Sequence, residues 1–416
     1  MSMLKSVKIR GFKSLDDVKV ELLNFSILFG PNATGKSNFI DALQLLSRLT
    51  SEKTISQALE PMRGYPIEQF TFPIGGLPEL FNKPEAFISM EADILPEKFD
   101  PLRYRVVLRS EPEKGDITVS DEYLARLSNR TFEPKPMAPR IEKDGDHLLI
   151  RRLNEAGKPR QEQIGLSYTL LSDKRFSGNL YADFDKARNE LNSWRIYYLD
   201  PRNAMRKPAS PKEVQDIGLS GEDLAPFLYR LKWHKEKFRA VERTLSMAIP
   251  SIEQVLVDLN EKRGELDIQI IQDGTPYSSR IVSEGTLRVL ALCAIAHNPW
   301  PGNLIAFEEP ENGVHPKRME LIINLLTSIA LDEASNRQVI VTTHSPVFVS
   351  LAHRLQREQP DKVGLFVCHG EGRESIIERF NPTPGTLFPD SEIMAALETK
   401  DEDAISKMMV RGWLGG

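Results

Sequence analysis

The sequence predicts an α/β fold in which crossover helices join parallel strands, with an inserted accessory region in the middle. Three observations predict this fold class. A short apolar run at residues 25–29 stops at Gly30 and is followed by a glycine-containing loop and a helical pattern. Strand and helix patterns alternate through the last third of the chain, which is typical of a parallel sheet. Between these parts, about residues 110–195 are polar and punctuated by prolines.

The composition is that of an ordinary soluble globular protein. The 416 residues are 40% hydrophobic, and 54 Lys plus Arg against 59 Asp plus Glu give a net charge of −5. This apolar content excludes global disorder, and no apolar run approaches the roughly 20 residues of a membrane span. The N-terminus lacks the apolar segment of a secretory signal, and Cys293 and Cys368 cannot form a disulfide framework. We therefore expect a cytoplasmic protein with no membrane partner. Its net negative charge argues against nucleic-acid binding over the whole surface.

The first half of the chain is expected to be rich in strands. The predicted strands are residues 7–10, 25–29, 87–94 and 104–109. Apolar residues spaced three and four apart after Lys36 predict a helix, whereas the Pro- and Gly-rich residues 50–86 predict a loop. Gly145, which lies between two aspartates, favours a hairpin turn inside the accessory region.

The second half is expected to alternate between strands and helices. The predicted strands are residues 195–199, 254–259, 266–271, 304–307, 339–342 and 363–367. The predicted helices are residues 224–249, 285–297, 317–332 and 346–358. These patterns divide the chain into five segments. They are residues 1–110, the accessory region 111–194, a helical and strand segment 195–280, a second α/β part 281–380, and a C-terminal tail or helix 381–416.

A phosphate-binding loop is predicted at residues 30–37, GPNATGKS, which fit G-x-x-x-x-G-K-[ST] between a strand and a helix. Gly30 and Gly35 permit a close backbone approach, so that successive N–H groups and the helix N-terminus face phosphates. Lys36 is expected to reach the β- and γ-phosphates, and the Ser37 hydroxyl to ligate Mg²⁺. Ala33 and Thr34 stand where such loops often carry Gly and Ser, but both are small, so we expect the loop to close normally.

An acidic site is predicted where the strand at residues 304–307 ends. Glu308 and Glu309 follow its apolar residues, and ligands bind beyond the carboxyl ends of parallel strands. One carboxylate can hold Mg²⁺, and the other can orient or deprotonate an attacking water. His344 ends the following strand, so it is expected to reach the same phosphate.

These motifs, with SEGTLR at residues 283–288, resemble the SMC/RecF/OLD-like branch of the ABC ATPases, often labelled AAA-family ATPases in bacteria. The matching motifs run from Lys13 to Pro346 in the expected order, whereas the middle of the chain matches none. The resemblance implies a P-loop NTPase fold of the ABC type. It also implies ATP and Mg²⁺ as cofactors, and a homodimer or higher assembly that closes around ATP.

The resemblance also implies a role for each motif residue. Glu308 supports Mg²⁺, Glu309 is the catalytic glutamate, residues 312–315 are the D-loop, and His344 is the switch histidine. The signature motif, which binds the nucleotide of a second copy, comprises Ser283, Glu284, Gly285 and Thr286. The other expected nucleotide-binding residues are Lys13, Gly30, Asn32, Gly35, Lys36, Ser37 and Asn38. Gln69 is a candidate for the Q-loop glutamine.

The signature motif can also be interpreted from helix capping alone, without the family resemblance. Ser283 precedes an apolar helical run and is a suitable N-cap. The helix would therefore offer N–H groups and the positive end of its dipole to an anion. Taken alone, however, S-E-G-T favours a plain capped core helix. Only the other motifs reverse that preference.

Three related classes fit the sequence less well. Ser283 lies 253 positions after Gly30, a longer separation than in transporter ATPase subunits, yet the segment is too short and too proline-rich for SMC arms. OLD nucleases carry a C-terminal Toprim domain with a D-x-D pair after a strand. Here Asp401 and Asp403 belong to a pattern typical of a charged terminal helix. We expect no nuclease centre, and therefore a separate effector protein.

Two basic segments leave DNA or RNA open as a partner. The first comprises Arg195, Arg202, Arg206, Lys207 and Lys212. The second comprises Arg230, Lys232, Lys235, Lys237, Arg239 and Arg243, interleaved with Tyr229, Trp233 and Phe238. Such clusters can follow a phosphate backbone, but a solvated amphipathic helix with its aromatic residues facing the core is the favoured interpretation.

The sequence thus predicts a Mg-dependent ATPase that dimerises around ATP and couples nucleotide state to a partner, in bacterial anti-phage defence or DNA maintenance. Two alternatives remain open. One is a nucleotide-gated scaffold with slow or no turnover, and the other is a DNA-binding clamp like RecF.

Overall fold

The computed structural model describes residues 2–153, 157–300, 302–331 and 337–380. In chain order, the strands of the first half are β1 (Met3–Phe12), β2 (Leu15–Glu21), β3 (Phe25–Phe29), β4 (Ala86–Leu95), β5 (Leu102–Glu111), β6 (Asp116–Arg126), β7 (Ile141–Asp144), β8 (His147–Ile150) and β9 (Arg160–Gln163). Those of the second half are β10 (Arg195–Tyr197), β11 (Ile252–Asn260), β12 (Glu265–Gln272), β13 (Thr275–Ser278), β14 (Leu304–Glu308), β15 (Gln338–Thr343), β16 (Val363–Glu371) and β17 (Glu374–Arg379).

The α-helices interleave with these strands. They are α1 (Lys36–Leu49), α2 (Ile55–Leu59), α3 (Leu77–Phe81), α4 (Ala182–Asn192), α5 (Leu224–Leu231), α6 (Lys235–Ala248), α7 (Glu284–Ala296), α8 (Met319–Leu331) and α9 (Pro346–Glu358). Short 3₁₀ turns form at Pro66–Gln69, Asn179–Tyr181 and Pro316–Arg318.

The strands form three sheets. The largest is antiparallel, in the order β2-β1-β4-β5-β6-β7-β8-β9. The second has the order β10-β14-β15-β3-β16-β17 and is parallel except for β17, which pairs antiparallel with β16. The third is the small antiparallel sheet β11-β12-β13. The parallel pairing of β14, β15 and β3 confirms the predicted crossover connections.

The six-stranded sheet lies between two apolar cores. In β14, Ile305 and Phe307 pack into a core with the helices α5 to α9, whereas Leu304 and Ala306 pack into a core with α1 and the eight-stranded sheet. A strand buried on both faces reads as a continuous apolar run, which is why the pattern of residues 25–29 does not alternate. The parallel pairing of β14 with β15, and of β15 with β3, sets the carboxyl ends of these strands side by side.

The prediction of one continuous helix at residues 224–249 is wrong. Residues 224–249 form two helices, α5 and α6, because the chain has left helical geometry at His234, where φ is −98° and ψ is 67°. There the Lys232 ammonium donates to the carbonyl of Val257 at 2.8 Å, and the His234 ring packs edge-on against Trp300 at 5.4 Å. These contacts lie far away along the chain, so the helical periodicity could not reveal the break.

Other elements were missed or simplified by the sequence patterns. Residues 50–86, predicted as loop, contain α2, α3 and a 3₁₀ turn. The elements without a predicted counterpart also include β2, β6, β9, β13, β17 and α4. The hairpin at Gly145 is confirmed, since β7 and β8 pair directly across it. The described residues contain no helix that is both long and apolar enough to span a membrane.

The five-segment division remains a proposal. The boundary drawn after residue 110 falls within β5, and β6 of the accessory region continues the same sheet. The tail proposed at residues 381–416 lies outside the described residues.

Candidate active site

The predicted phosphate loop lies between the end of β3 and the start of α1. Gly30 has a φ of +152°, and a Cβ there would lie 2.1 Å from the carbonyl oxygen of Cys368 on β16. Gly35 has a φ of +88°, and its Cβ would lie 2.2 Å from the Ser375 hydroxyl. Both positions therefore require glycine, because any side chain would collide and adopt an unfavourable backbone conformation.

Lys36 lies inside this loop. Its ammonium donates to the carbonyls of Gly30 at 2.8 Å and Pro31 at 2.5 Å. Burial lowers the pKa of Lys36, although nearby carboxylates, including Glu309 and Glu308, act in the opposite direction. The loop thus holds a nearly buried cation among backbone groups, an arrangement suited to phosphate.

Ala33 and Thr34, which replace the more usual Gly and Ser of such loops, do not prevent the loop from closing. The Thr34 hydroxyl donates to the Pro31 carbonyl at 2.9 Å, and Ala33 adopts a left-handed φ of 65°. The left-handed conformation costs an L-residue roughly 1–2 kcal/mol, a penalty that glycine would avoid. Asn32 is exposed within the loop, whereas the Asn38 amide donates to the Ser14 hydroxyl at 2.8 Å.

Ser37 and Glu308 are adjacent. The Ser37 hydroxyl donates directly to the Glu308 carboxylate, and Arg63 pairs with the other carboxylate oxygen at 3.1 Å. Two neighbouring oxygen ligands beside a phosphate loop fit Mg²⁺, which commonly takes few protein ligands and completes its shell with phosphate and water. The residues present therefore suit the metal that the sequence predicted.

Lys13 lies beside α1 in a cluster around Asp41. Its ammonium pairs with the Asp41 carboxylate at 2.7 Å, while Tyr198 donates to the same carboxylate at 2.6 Å. Arg63 pairs with Asp41 at 3.4 Å and so links the cluster to Glu308. Asp41, Arg63 and Tyr198 were missed by sequence reasoning. The available signal was Asp41, a charged residue directly after the apolar Phe39 and Ile40 in the predicted helix; it is 97% buried.

Glu309 is held by two side chains. One carboxylate oxygen lies 2.9 Å from His344 Nδ1, and the other accepts from the Asn312 amide at 2.5 Å. The Glu309 backbone N–H donates to the Thr342 carbonyl at 3.0 Å, which fixes the residue against the end of β15. The structure thus brings Glu309, Asn312 and His344 together at one sheet edge, with Glu308 next in sequence.

Glu311 is a further carboxylate in this region. It is 97% buried, and it accepts a hydrogen bond from Thr343 at 2.5 Å. Burial raises the pKa of Glu311. Gln69, the proposed Q-loop residue, is fully buried and donates to the carbonyls of Arg63 and Tyr65, so it orders the segment that carries Arg63.

The proposed signature caps α7. The Ser283 hydroxyl accepts from the Thr286 N–H at 3.1 Å and lies 2.8 Å from the Thr286 hydroxyl. Gly285 packs against the loop after β14, because a Cβ there would lie 2.5 Å from the Gly313 carbonyl oxygen. Within the described residues, no hydrogen bond or ion pair joins residues 283–286 to residues 30–37.

Arg288 extends from α7 toward the acidic loop. Burial lowers its pKa, while Glu311, Glu284, Asp200 and Glu309 act in the opposite direction. The signature helix is therefore linked electrostatically to the loop that carries Glu309. The sequence contained Arg288 as the last letter of SEGTLR, but no role was assigned to it.

A phosphate loop at the end of the central parallel strand β3, with carboxylates at the end of β14, two strands away in the same sheet, defines a P-loop ATPase. The chain belongs to the family described as "AAA domain, putative AbiEii toxin, Type IV TA system", whose model matches residues 25–350. The predicted fold class, an α/β P-loop ATPase with mixed sheets, is thereby confirmed. No curated protein is significantly similar to the chain in sequence.

Solved structures similar to the chain include two SMC head domains and a recombination mediator protein. The SMC head domain of Thermotoga maritima is 14% identical, with a TM-score of 0.44 over 91% of this chain and 99% of that one. An SMC head domain from Pyrococcus furiosus, bound to the C-terminal domain of ScpA, is 13% identical, with a TM-score of 0.46 over 96% and 99%. The recombination mediator RecF is 12% identical, with a TM-score of 0.37 over 91% and 98%.

Proposed function

We propose that this chain is a Mg-dependent ATPase that dimerises around ATP and passes its nucleotide state to a separate partner. The observation that carries the proposal is the placement of Glu309. Its carboxylate is held by His344 and Asn312 and follows Glu308, whose own carboxylate touches Ser37 of the phosphate loop. A candidate base, a metal-ligand pair and a phosphate cradle thus meet at one sheet edge.

Each residue has a defined task in this proposal. Lys36 and the loop N–H groups bind the β- and γ-phosphates, and Ser37 with Glu308 holds Mg²⁺, which when bound neutralises phosphate charge. Glu309 accepts a proton from the attacking water while the bond between the γ-phosphorus and the bridging oxygen breaks, giving ADP and phosphate. His344 fixes the Glu309 carboxylate toward that water.

The proposed dimer supplies what one chain lacks on the opposite side of the nucleotide. The exposed Ser283 and the N-terminus of α7 form an anion site that does not contact the chain's own phosphate loop. We place this site against the nucleotide of a second copy, in a two-fold interface. The family description names a putative toxin of a Type IV TA system, which supports a role in defence. A separate effector as partner is part of the same proposal.

Replacing the candidate base tests the chemistry. Glu309→Gln keeps the size of the side chain but cannot accept a proton, so ATP should still bind while steady-state turnover falls about 100-fold or more. Calorimetry measures ATP binding, and phosphate release measures turnover. Lys36→Ala removes the cation of the loop and should weaken ATP binding sharply.

Glu320→Gln is the matched control, since Glu320 is an exposed glutamate on the neighbouring helix α8. It should retain wild-type turnover. Near-normal turnover in Glu309→Gln would move the role of the base to another carboxylate, with Glu308 the first to test. If the wild-type protein binds ATP without turnover, the nucleotide-gated scaffold replaces the enzyme.

Nucleic-acid binding is a second candidate function, and one observation favours it. Trp233 is 78% exposed at the junction of α5 and α6, beside the exposed Lys235, Lys237 and Arg239. Tyr229 and Phe238 instead pack against the core, as the simpler interpretation predicted. Salt-dependent binding to duplex DNA distinguishes this candidate.

The other basic segment gives this candidate little support. Arg195 pairs with Asp216 at 2.9 Å, and Lys212 pairs with Asp223 at 2.5 Å. Arg206 donates to the carbonyl of Val282 at 2.6 Å. Because these cations are engaged within the chain, the surface of α6 is the better place for a phosphate backbone.

A further inference from the structure

A second polar cavity shares no residue with the nucleotide site. Its volume is about 590 Å³, within the range of roughly 300–1,000 Å³ that is usual for small-molecule sites. The lining residues belong to β4, the β4–β5 loop, β6 and its following turn, and α4. The charged residues of the lining are Lys98, Asp100, Arg126, Asp183 and Lys186.

The carboxylates of this cavity are already paired. Asp183 is 98% buried and accepts two hydrogen bonds from Arg126 and one from Arg140, each 2.8 Å long. Burial would raise the pKa of Asp183, but the bonds from the two arginines outweigh it and the pKa is lowered. Asp100 pairs with Lys135 at 2.8 Å. An incoming ligand therefore meets neutralised carboxylates.

The cluster nevertheless carries surplus positive charge. The two carboxylates, Asp100 and Asp183, face five cations: Lys98, Arg126, Lys135, Arg140 and Lys186. Lys186 lies 3.7 Å from Asp183, and its ammonium also lies 3.8 Å from the ring centroid of Phe99. Lys98 has no ion pair within the described part of the chain. Surplus cations around a concave site attract an anion.

The backbone at the mouth of the cavity is held in an unusual conformation. Lys98 has a left-handed φ of 63°, which is uncommon for a residue other than glycine. The next residue, Phe99, is 49% exposed despite its size. Residues kept in such a conformation cluster at ligand-binding sites, where the strain serves to position a side chain.

We propose that this cavity binds the phosphate group of a small phosphorylated ligand. A phosphate monoester carries nearly two negative charges at neutral pH, which would offset most of the surplus of three positive charges in this cluster. Lys98 and Lys186 supply ammonium donors, and the Arg126 nitrogen that Asp183 does not engage lies 3.9 Å from Asp100, where it adds to the positive charge. The apolar part of the lining, Leu95, Pro96 and Phe99, suits the carbon skeleton of the ligand.

The opposing explanation is that the cluster only stabilises the fold. That role would be served by Asp183 and its two arginines alone, since they form the buried part of the network. It gives no task to Lys98, which lies on an exposed loop. The test therefore changes the two lysines and leaves the buried pair intact.

The experiment uses the Lys36→Ala protein, so that phosphate probes do not report on the phosphate loop. Calorimetric titration is done with inorganic phosphate, ribose 5-phosphate and AMP. Lys98→Gln and Lys186→Gln, each added to this background, should weaken binding about tenfold, because each removes a charge-assisted hydrogen bond. Lys174→Gln, at an exposed lysine elsewhere in the accessory region, is the matched control and should bind as the parent does.

The outcomes separate cleanly. Equal affinity for the three probes assigns recognition to phosphate alone, whereas tighter binding of AMP assigns a nucleotide. The proposal is overturned if no probe binds, or if both lysine variants bind as Lys174→Gln does. Equal melting temperatures exclude unfolding as the cause of any loss. Because ATP turnover is not the readout, failure here leaves the proposed ATPase untouched, and failure of the ATPase leaves this site untouched.

Discussion

At the scale of single residues, Glu309 combines chemistry with backbone strain. Its φ of 45° places a glutamate in the left-handed region, at a cost on the order of 1–3 kcal/mol. The hydrogen bond to Thr342 and the contacts of its carboxylate with Asn312 and His344 hold it there. A conformation kept at such a cost is consistent with the catalytic task proposed for this side chain.

The sequence predicted part of this site and missed the rest for a physical reason. Glu308, Glu309 and His344 could be found because neighbouring parallel strands bring their carboxyl ends to one edge. Arg63 could not, since it lies in a loop without a repeated pattern. Tyr198 lies in the predicted strand 195–199 and follows the observed end of β10, but no motif marks its hydroxyl as functional. Only the folded chain brings them to Asp41.

A buried glutamate in the accessory region gives a prediction about pH. Glu122 is fully buried and accepts hydrogen bonds from Tyr104 and from the N–H groups of Leu170 and Leu171. Burial raises its pKa from 4.5 to about 7, and the hydrogen bonds offset only part of that effect. The folded protein therefore holds this proton more tightly than the unfolded chain does.

The contribution of Glu122 to stability should be largest below pH 4.5 and should decline as the pH rises to about 7. The total change is about 3 kcal/mol. Glu122→Gln cannot ionise, so the free energy of unfolding of the wild type, minus that of the variant, should fall between pH 5 and pH 8. Urea unfolding at several pH values measures it.

Glu97→Gln, a change at an exposed glutamate, is the control and should show no such trend. A difference between wild type and Glu122→Gln that stays constant over this range would mean that the Glu122 proton is held no more tightly in the folded state.

At the scale of elements, the existence and type of most helices and strands followed from hydrophobic period. The helix at residues 346–358 and the strand at residues 25–29 agree with α9 and β3 in both bounds. The break between α5 and α6 did not follow, because Val257 and Trp300 stabilise it from distant segments. Short edge strands such as β13 also escape, since four largely exposed residues leave little apolar pattern.

The surface of α6 provides the prediction at this scale. If this helix contacts DNA phosphates, the double change Lys235→Gln and Arg239→Gln should lower the slope of log affinity against log salt by about two. Each lost phosphate contact removes the release of about one counterion. Fluorescence anisotropy with a labelled duplex, measured at several salt concentrations, gives the slope.

The matched control is the double change Lys53→Gln and Lys83→Gln, which removes the same number of charges from exposed positions elsewhere. An equal drop in both double variants would reflect net charge alone and would contradict a contact on α6. Trp233→Ala adds a check of base stacking, which matters for single strands rather than duplexes.

At the scale of the whole molecule, the resemblance predicted a fold that no single element defines. The order of β14, β15 and β3 within one sheet, and the family match over residues 25–350, both agree with it. The partner could not be predicted, because a surface complementary to another chain leaves no periodic pattern in this one. The role of the accessory region escaped for the same reason, as its cavity is assembled from β4, β6 and α4.

The prediction at this scale concerns the dimer. In the Glu309→Gln background, saturating Mg-ATP should shift the protein from monomer to dimer, because ATP bound at an interface favours association. Ser283→Arg should abolish the shift while ATP binding persists, since the side chain would fill the proposed anion site. Light scattering measures the mass, and calorimetry measures the binding.

Ser283 is the better position to change. A side chain at Gly285 should also block the dimer, but its Cβ would collide with the Gly313 carbonyl of the same chain, so the loss would be ambiguous. Ser56→Arg, at an exposed serine on α2, is the control and should dimerise normally. Equal dimer content in Ser283→Arg and Ser56→Arg would contradict the proposed interface.

The close packing of Gly285 on Gly313 has a consequence for timing. Gly313 follows Asn312, whose amide donates to the Glu309 carboxylate that would act on the chain's own ATP. Gly285 belongs to α7, the helix that would bind the partner's ATP, and it packs directly on Gly313. In the proposed dimer, hydrolysis of one ATP would therefore disturb the binding of the other ATP by the N-terminus of α7. The two turnovers would be cooperative rather than independent, and a mixed dimer with one Glu309→Gln chain should retain well under half of the wild-type rate.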